Sequence, residues 1–254
     1  MNLTPVLPHF YTKKTAYPAF GQSPSAHNQQ LLSQQLEQLV QSRDNFLKSQ
    51  NDQIIETARK LSNIKQSPVP VSLGQFKFNK LMGVPFDKDG IWEFLELPKH
   101  KYGVTVVPTV HKNGQEYFLF VKTSHPSIDG KQMIAFPSGV RDIVDSHDLE
   151  TIKQTANREL CEETGYEAET LIPADYLKGG SNRQKMFTHV VLARGLKKTS
   201  AKDLRDPGEK NIHLQSVLAP VKEIQQWLKQ QQKQGMLLSL NVPAGLYYYH
   251  QNRE

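Results

Sequence analysis

Three glutamates constrain this chain more than any other feature of its sequence. Glu159, Glu162 and Glu163 stand at i, i+3 and i+4, so on a helix their carboxylates share one face. The residues around them predict such a helix from Asp148 to Thr164. Ile152, Ala156 and Leu160 recur on a second face that can lie against a sheet, and Gly165 stands just past the end, the usual position of a left-handed cap. Like charges at this spacing repel, so the acidic face is costly unless a cation neutralises it. Ligation by oxygen alone suits Mg2+, with Mn2+ as a substitute, because these hard ions keep waters and engage substrate phosphates. Arg158 lies one turn from Glu162 and can orient the cluster.

Composition removes several classes of function. The chain has 254 residues, 37% of them hydrophobic and 22% charged, which fits a soluble globular protein. No apolar run approaches the ~18 residues that would span a bilayer, so no membrane partner is expected. Met1 to Lys14 lacks the basic-then-apolar layout of a secretory signal. A single cysteine, Cys161, excludes an internal disulfide framework and suits a reducing compartment, so the expected location is cytoplasmic. Its neighbours are acidic, which argues against a low-pKa nucleophile. The formal net charge is +6, but the lysines are scattered and no aromatic-interleaved basic stretch is present. The charge is read as solvated surface with some attraction for anionic substrates, and no nucleic acid is expected.

The character of the chain changes near Pro68. From Ser25 to Gln66 it is polar and glutamine-rich, with Leu32, Leu36, Leu39, Phe46 or Leu47, Ile54, Ala58 and Leu61 at helical spacing. Arg43 and Gln50 interrupt that stripe, which favours one or two amphipathic helices packed on the body over a long coiled coil. Ser67-Pro68-Val69-Pro70 ends the helical pattern. Two domains are therefore expected, a helical extension over 1–70 and a catalytic domain over 71–254. In the second, Val104–Val110 and Tyr117–Val121 read as strands joined by the turn His111-Lys112-Asn113-Gly114. Gln75–Phe78, Ile91–Leu95, Met133–Phe136, Met186–Leu196 and His213–Leu218 also read as strands. A helix is expected from Val221 to about Gln234, and Tyr247-Tyr248-Tyr249 reads as a terminal strand or docking segment.

The string Arg158-Glu159-Leu160-Cys161-Glu162-Glu163-Thr164-Gly165-Tyr166 resembles the second half of the Nudix box. Chance would produce it in roughly one chain of this length in ten thousand or fewer, which favours this reading over an ordinary solvated acidic face. Eight residues before Arg158, Glu150 matches the first glutamate of the box. The opening glycine would then fall at Val144, but Phe136-Pro137-Ser138-Gly139 resembles the usual approach to it. Gly139 takes that role, with five extra residues in the loop that follows. The resemblance implies an α/β/α sandwich with a mixed sheet, preceded here by the N-terminal helical extension. It also implies that the Ser138 carbonyl ligates metal beside Glu159, Glu162 and Glu163.

Outside the box, Trp92-Glu93, Phe120-Val121-Lys122, Gly180-Ser181-Asn182 and Pro207-Gly208-Glu209 resemble ADP-ribose pyrophosphatases and related nucleoside diphosphate-sugar hydrolases. His125 and Leu97 stand where those enzymes commonly carry diphosphate-binding arginines. The likeness spans Phe76 to Leu228 and implies hydrolysis of a nucleoside diphosphate derivative to a nucleoside monophosphate and a phosphorylated remainder. Trp92 would stack on the base of this small-molecule nucleotide substrate. Glu209, on a charged loop between two apolar strands, would act as general base, with Asp206 and Glu159 as alternatives; metal-bound glutamates are weak bases. The likeness also implies a homodimer, and the N-terminal helix could take a protein partner. The rival reading is a Nudix-fold module that senses ADP-ribose or docks a partner without turnover. A complete set of glutamates favours the enzyme.

Overall fold

Two hydrophobic periods organise the described residues, one near 3.6 in their four α-helices and one of two in their eleven strands. A computed structural model describes residues 26–65, 69–75, 79–86, 90–96, 102–124, 126–140, 148–199 and 213–253. The chain divides after Glu56 into two units. The first contains most of helix α1, Ala26–Lys65, a single helix and not two. Within it Leu36, Leu39 and Phe46 of the apolar stripe are exposed. Burial sets in at Ala58, within the second unit. There Ser62, in the last turn of the helix, ties it to the chain that follows: its hydroxyl donates to the Ala58 carbonyl at 2.8 Å and accepts from the Val69 N–H at 3.0 Å.

The second unit is built on a mixed sheet. Strands β1 (Val71–Gln75), β2 (Lys80–Phe86) and β3 (Gly90–Glu96) form an antiparallel meander. β4 (Tyr102–Lys112) and β5 (Gln115–Ser124) form the expected hairpin. Its turn residues Asn113 and Gly114 both have positive φ, 52° and 74°, which matches the twist of the flanking strands and explains the Asn-Gly pair. β6 (Gln132–Ala135), β7 (Ser138–Val140), β8 (Tyr166–Gly179), β9 (Gln184–Lys198), β10 (His213–Pro220) and β11 (Leu237–Leu238) complete the sheet. β4 runs parallel to β9, in register from Tyr102 opposite Phe187 to Pro108 opposite Ala193. β8 pairs antiparallel with β9 over nearly its whole length.

Strand alternation gives this sheet two buried faces. On one, α2 (Leu149–Thr164) lays Ile152, Ala156 and Leu160 against Val104, Val106, Leu119, Val191 and Ala193. On the other, α3 (Ile224–Lys233) and α4 (Asn241–Gln251) cover Val107, Phe118, Phe120, Phe136 and Leu192. The result is the expected α/β/α sandwich. No described helix is long and apolar enough to cross a membrane.

The tyrosine triplet departs from the reading of the sequence. Tyr247, Tyr248 and Tyr249 lie in helix α4, not in a strand. Aromatic residues favour strands, but Val242, Gly245, Leu246 and Tyr249 are buried at i, i+3, i+4 and i+7, and that stripe decides the outcome. β8 was not read at all, because Pro173 and several acidic residues obscure its alternation.

Gly245 marks the closest approach of α4 to the core. A Cβ there would lie 2.6 Å from the Phe136 ring and 2.8 Å from Val107 Cγ2. Alanine normally stabilises a helix interior by ~1 kcal/mol over glycine. Here overpacking outweighs that gain, so Gly245→Ala lowers stability by about 1–3 kcal/mol in urea unfolding. A stabilised variant would show that this contact is loose.

Candidate active site

Helix α2 carries the acidic face and is held at both ends. Asp148 caps its start, accepting from the Thr151 N–H at 3.0 Å, the Thr151 hydroxyl at 2.7 Å and the Glu150 N–H at 3.4 Å. Gly165 ends it in the left-handed region, φ 72°, where its N–H reaches the Cys161 carbonyl at 2.9 Å. The Asn157 side chain accepts from the Ala168 N–H at 2.9 Å and so ties the helix to β8.

The apolar face of α2 draws one carboxylate down with it. Glu159 is only 7% exposed. Such a group is tolerated when its charge is met by a hydrogen-bonded cation. Arg158 supplies that cation. Its guanidinium donates to Glu159 Oε1 at 2.6 Å, to Glu162 Oε2 at 2.9 Å and to the Val140 carbonyl at 2.9 Å. A planar fork with five donors can serve three acceptors at once, each in a fixed direction. Glu163 reaches the same strand from the other side, accepting from the Ser138 N–H at 3.2 Å. Two side chains of α2 therefore grip the two ends of β7.

Gly139 lies between those grips. It pairs with Val104 on β4, and a Cβ on it would overlap the Glu159 carboxylate. Its φ is not among the positive ones, so glycine is required for space and not for backbone conformation. Gly103 is nearly as confined, since a Cβ there would lie 3.1 Å from the Gly139 carbonyl oxygen.

The structure thus gathers Ser138, Gly139, Arg158, Glu159, Glu162 and Glu163. Among the described residues, no three Asp, Glu, His or Cys side chains stand ready to hold a metal ion, and Arg158 engages Glu159 and Glu162. The donor set nevertheless suits a hard divalent cation: all its ligands are oxygens, one carboxylate is buried, and the glycine cradle has no Cβ. Glu150 stands apart, exposed in the first turn of α2 and about two and a half turns from Glu159. Trp92 lies on β3 at 41% exposure with the Arg183 guanidinium 4.3 Å over its ring, and Arg183 also donates to the Glu93 carbonyl at 3.0 Å. Glu209, Asp206, His125 and Leu97 lie outside the described residues.

Two features escaped the sequence reading. Tyr102, Tyr176, Phe187 and His189 form an aromatic cluster beside β7, with centroid separations between 5.0 and 6.1 Å. The β-register that joins them spans three strands and has no local signature. A cleft of about 310 Å3 lined by His111, Glu116, Arg194, Tyr249 and Arg253 lies at the opposite end of β4 from Gly103–Thr105, away from the glutamates. Burial, followed by the hydrogen bond to Glu116, pushes the Tyr249 phenol up to about 12.

The contact at Gly139 can be isolated by a double-mutant cycle. Gly139→Ala is expected to cost about 1–3 kcal/mol in thermal unfolding, as overpacking does. Most of that cost should vanish when Glu159→Ala removes the opposing carboxylate. Equal costs in both backgrounds would place the strain elsewhere.

Comparison with known proteins agrees with this geometry. A solved structure described as "Crystal structure of ADP compounds hydrolase" shares the fold, with a TM-score of 0.52 and 17% sequence identity over 72% of this chain and 92% of that one. No curated protein matches. The family model described as NUDIX domain matches residues 99–239, more than half of the chain. That span holds Gly139, the whole of α2 and the strands that seat them, and this chain belongs to the NUDIX domain family.

Proposed function

We propose that the protein is a Mg2+-dependent hydrolase of the pyrophosphate bond in a nucleoside diphosphate derivative, with ADP-ribose or a related nucleoside diphosphate-sugar as substrate. The observation that carries this reading is that Glu159 and Glu163 meet β7 at a glycine with no room for a side chain, with Glu162 joined to that strand through Arg158. The substrate class is supported by the sequence likeness around Trp92, Gly180 and Pro207 and by the name of the structural neighbour, an ADP compounds hydrolase.

The three glutamates and the Ser138 carbonyl would hold the metal. A divalent cation bound there supplies Lewis acidity, withdrawing charge from the diphosphate oxygens and easing the crowding of the carboxylates. Arg158 keeps Glu159 and Glu162 aimed from the helix toward β7. Gly139 leaves the space in which the Glu159 carboxylate lies against β7. Glu209 takes a proton from the attacking water; a carboxylate free of metal is the stronger base. The products are a nucleoside monophosphate and a phosphorylated remainder such as ribose 5-phosphate.

Metal dependence and the role of the helix are tested together. Excess EDTA should abolish turnover of ADP-ribose, and Glu163→Gln should lower kcat by about two orders of magnitude or more. Full activity under either condition would sink the proposal. Tight binding of ADP-ribose with no turnover at any divalent metal would instead make the protein a sensing module.

The base is tested separately. Glu209→Gln is expected to cut kcat strongly while KM and Mn2+ affinity stay near those of the unaltered protein. Near-normal kcat in that variant would move the role to Glu159.

A further inference from the structure

The aromatic cluster beside β7 has no part in the hydrolytic machinery just described. Its four members come from three strands: Tyr102 from β4, Phe187 and His189 from β9, and Tyr176 from β8. Tyr102 pairs with Phe187, and Tyr176 pairs with His189. Tyr176 lies nearly parallel to Phe187, at 5.2 Å and 17°. Alternation along β4 puts Tyr102 on the same face as Val104, the face that α2 covers. All four stand outside both apolar cores. His189 is buried, Tyr102 and Phe187 are half-buried, and Tyr176 is 37% exposed.

A bulge places Tyr176 in this group. From Leu171 to Pro173, the odd-numbered residues of β8 face α2, with Leu171 opposite Ala193 and Pro173 opposite Val191. The register then shifts between Pro173 and Asp175. Beyond the shift Asp175 faces the other side, where it accepts from the Tyr248 hydroxyl at 2.6 Å, and Tyr176 faces α2. An unbulged strand would have sent Tyr176 to the opposite core, where Ile172 packs. Burial, and then the neighbouring Tyr102 hydroxyl, push the Tyr176 phenol up.

We propose that Tyr102, Tyr176, Phe187 and His189 form the wall on which the nucleobase of the substrate is held, and that they determine base specificity. The assignment rests on the hydrolase reading above. Gly103, next to Tyr102, pairs with Val140, whose carbonyl receives Arg158. Two strand residues, ~7 Å, separate Tyr102 from the partner of Gly139. A phosphate held at the acidic face beside Gly139 therefore leaves the base about one ribose away, over the cluster. Every base has a π-face that can stack on such rings, and two phenols and an imidazole can meet its polar edge. Trp92 is a weaker station. It lies ten residues before Tyr102, and Arg183 covers one face of its ring.

The test uses the full-length protein with ADP-ribose as probe, measuring kcat and KM with Mg2+ and equilibrium binding by calorimetry in EDTA. Tyr176→Leu should raise KM and Kd about tenfold or more and spare kcat, the pattern of lost uniform binding. Tyr176→Phe should keep most of the affinity. Ribose 5-phosphate, which has no base, should compete equally well against the unaltered protein and Tyr176→Leu. Unchanged KM and Kd in a Tyr176→Leu protein of normal melting temperature would overturn the assignment. A loss confined to Trp92→Ala, or no binding of ADP-ribose by the unaltered protein, would do the same. Binding that depends on Tyr176 without turnover of any nucleoside diphosphate derivative would sustain the wall and defeat the hydrolase reading. If Tyr176→Leu fails to fold, Phe187→Leu replaces it with the same expected rise in KM and Kd.

Discussion

The fork from Arg158 to Glu159, Glu162 and the Val140 carbonyl joins the helix to the sheet at the point where chemistry is proposed. Packing of Ile152, Ala156 and Leu160 pulls Glu159 out of water, and an isolated buried carboxylate is costly by several kcal/mol. The guanidinium offsets that cost while its remaining donor reaches β7. Charge compensation and strand placement are thus one interaction. The absence of a side chain at Gly139 belongs to the same arrangement, since β7 can approach Glu159 only if nothing projects between them.

This arrangement also bears on how a cation would enter. The carboxylates are already compensated, so a divalent ion would compete with Arg158 for Glu159 and Glu162. The guanidinium neutralises the pair and holds α2 against β7. Helix and site therefore share one electrostatic balance, with the caps at Asp148 and Gly165 holding the register that puts three glutamates on one side.

The two faces of the sheet divide the work between them. Phe118, Phe120, Phe136 and Tyr249 interlock on the α4 side, with ring separations of 4.4 to 5.9 Å, and form an apolar core with little polar content. On the α2 side the core is smaller and gives way to polar and aromatic residues toward β7. A single extra residue near Ala174 assigns Tyr176 to that second face and Asp175 to the first, so a local irregularity decides which side chains can meet a ligand.

Much of this was legible without coordinates. The helix with its acidic and apolar faces follows from spacing alone, because helical geometry maps i, i+3 and i+4 onto one side whatever the rest of the chain does. The Asn113-Gly114 turn and the parallel-strand runs Val104–Val110 and Met186–Leu196 announce themselves for similarly local reasons. What spacing cannot express is burial and register. The helical fate of Tyr247–Tyr249 was decided by packing against Phe136 and Val107, which overrode the strand preference of tyrosine. The pairing of Tyr102 with Phe187 and of Tyr176 with His189 depends on hydrogen-bond register between strands far apart in sequence, shifted once by a bulge. The sequence by itself determined the helix, its acidic face and the residue types of the site. Only the tertiary structure decided that Glu159 is buried, that Arg158 spans three acceptors and that Gly139 has no room for a Cβ, because each depends on how closely α2 and β7 approach.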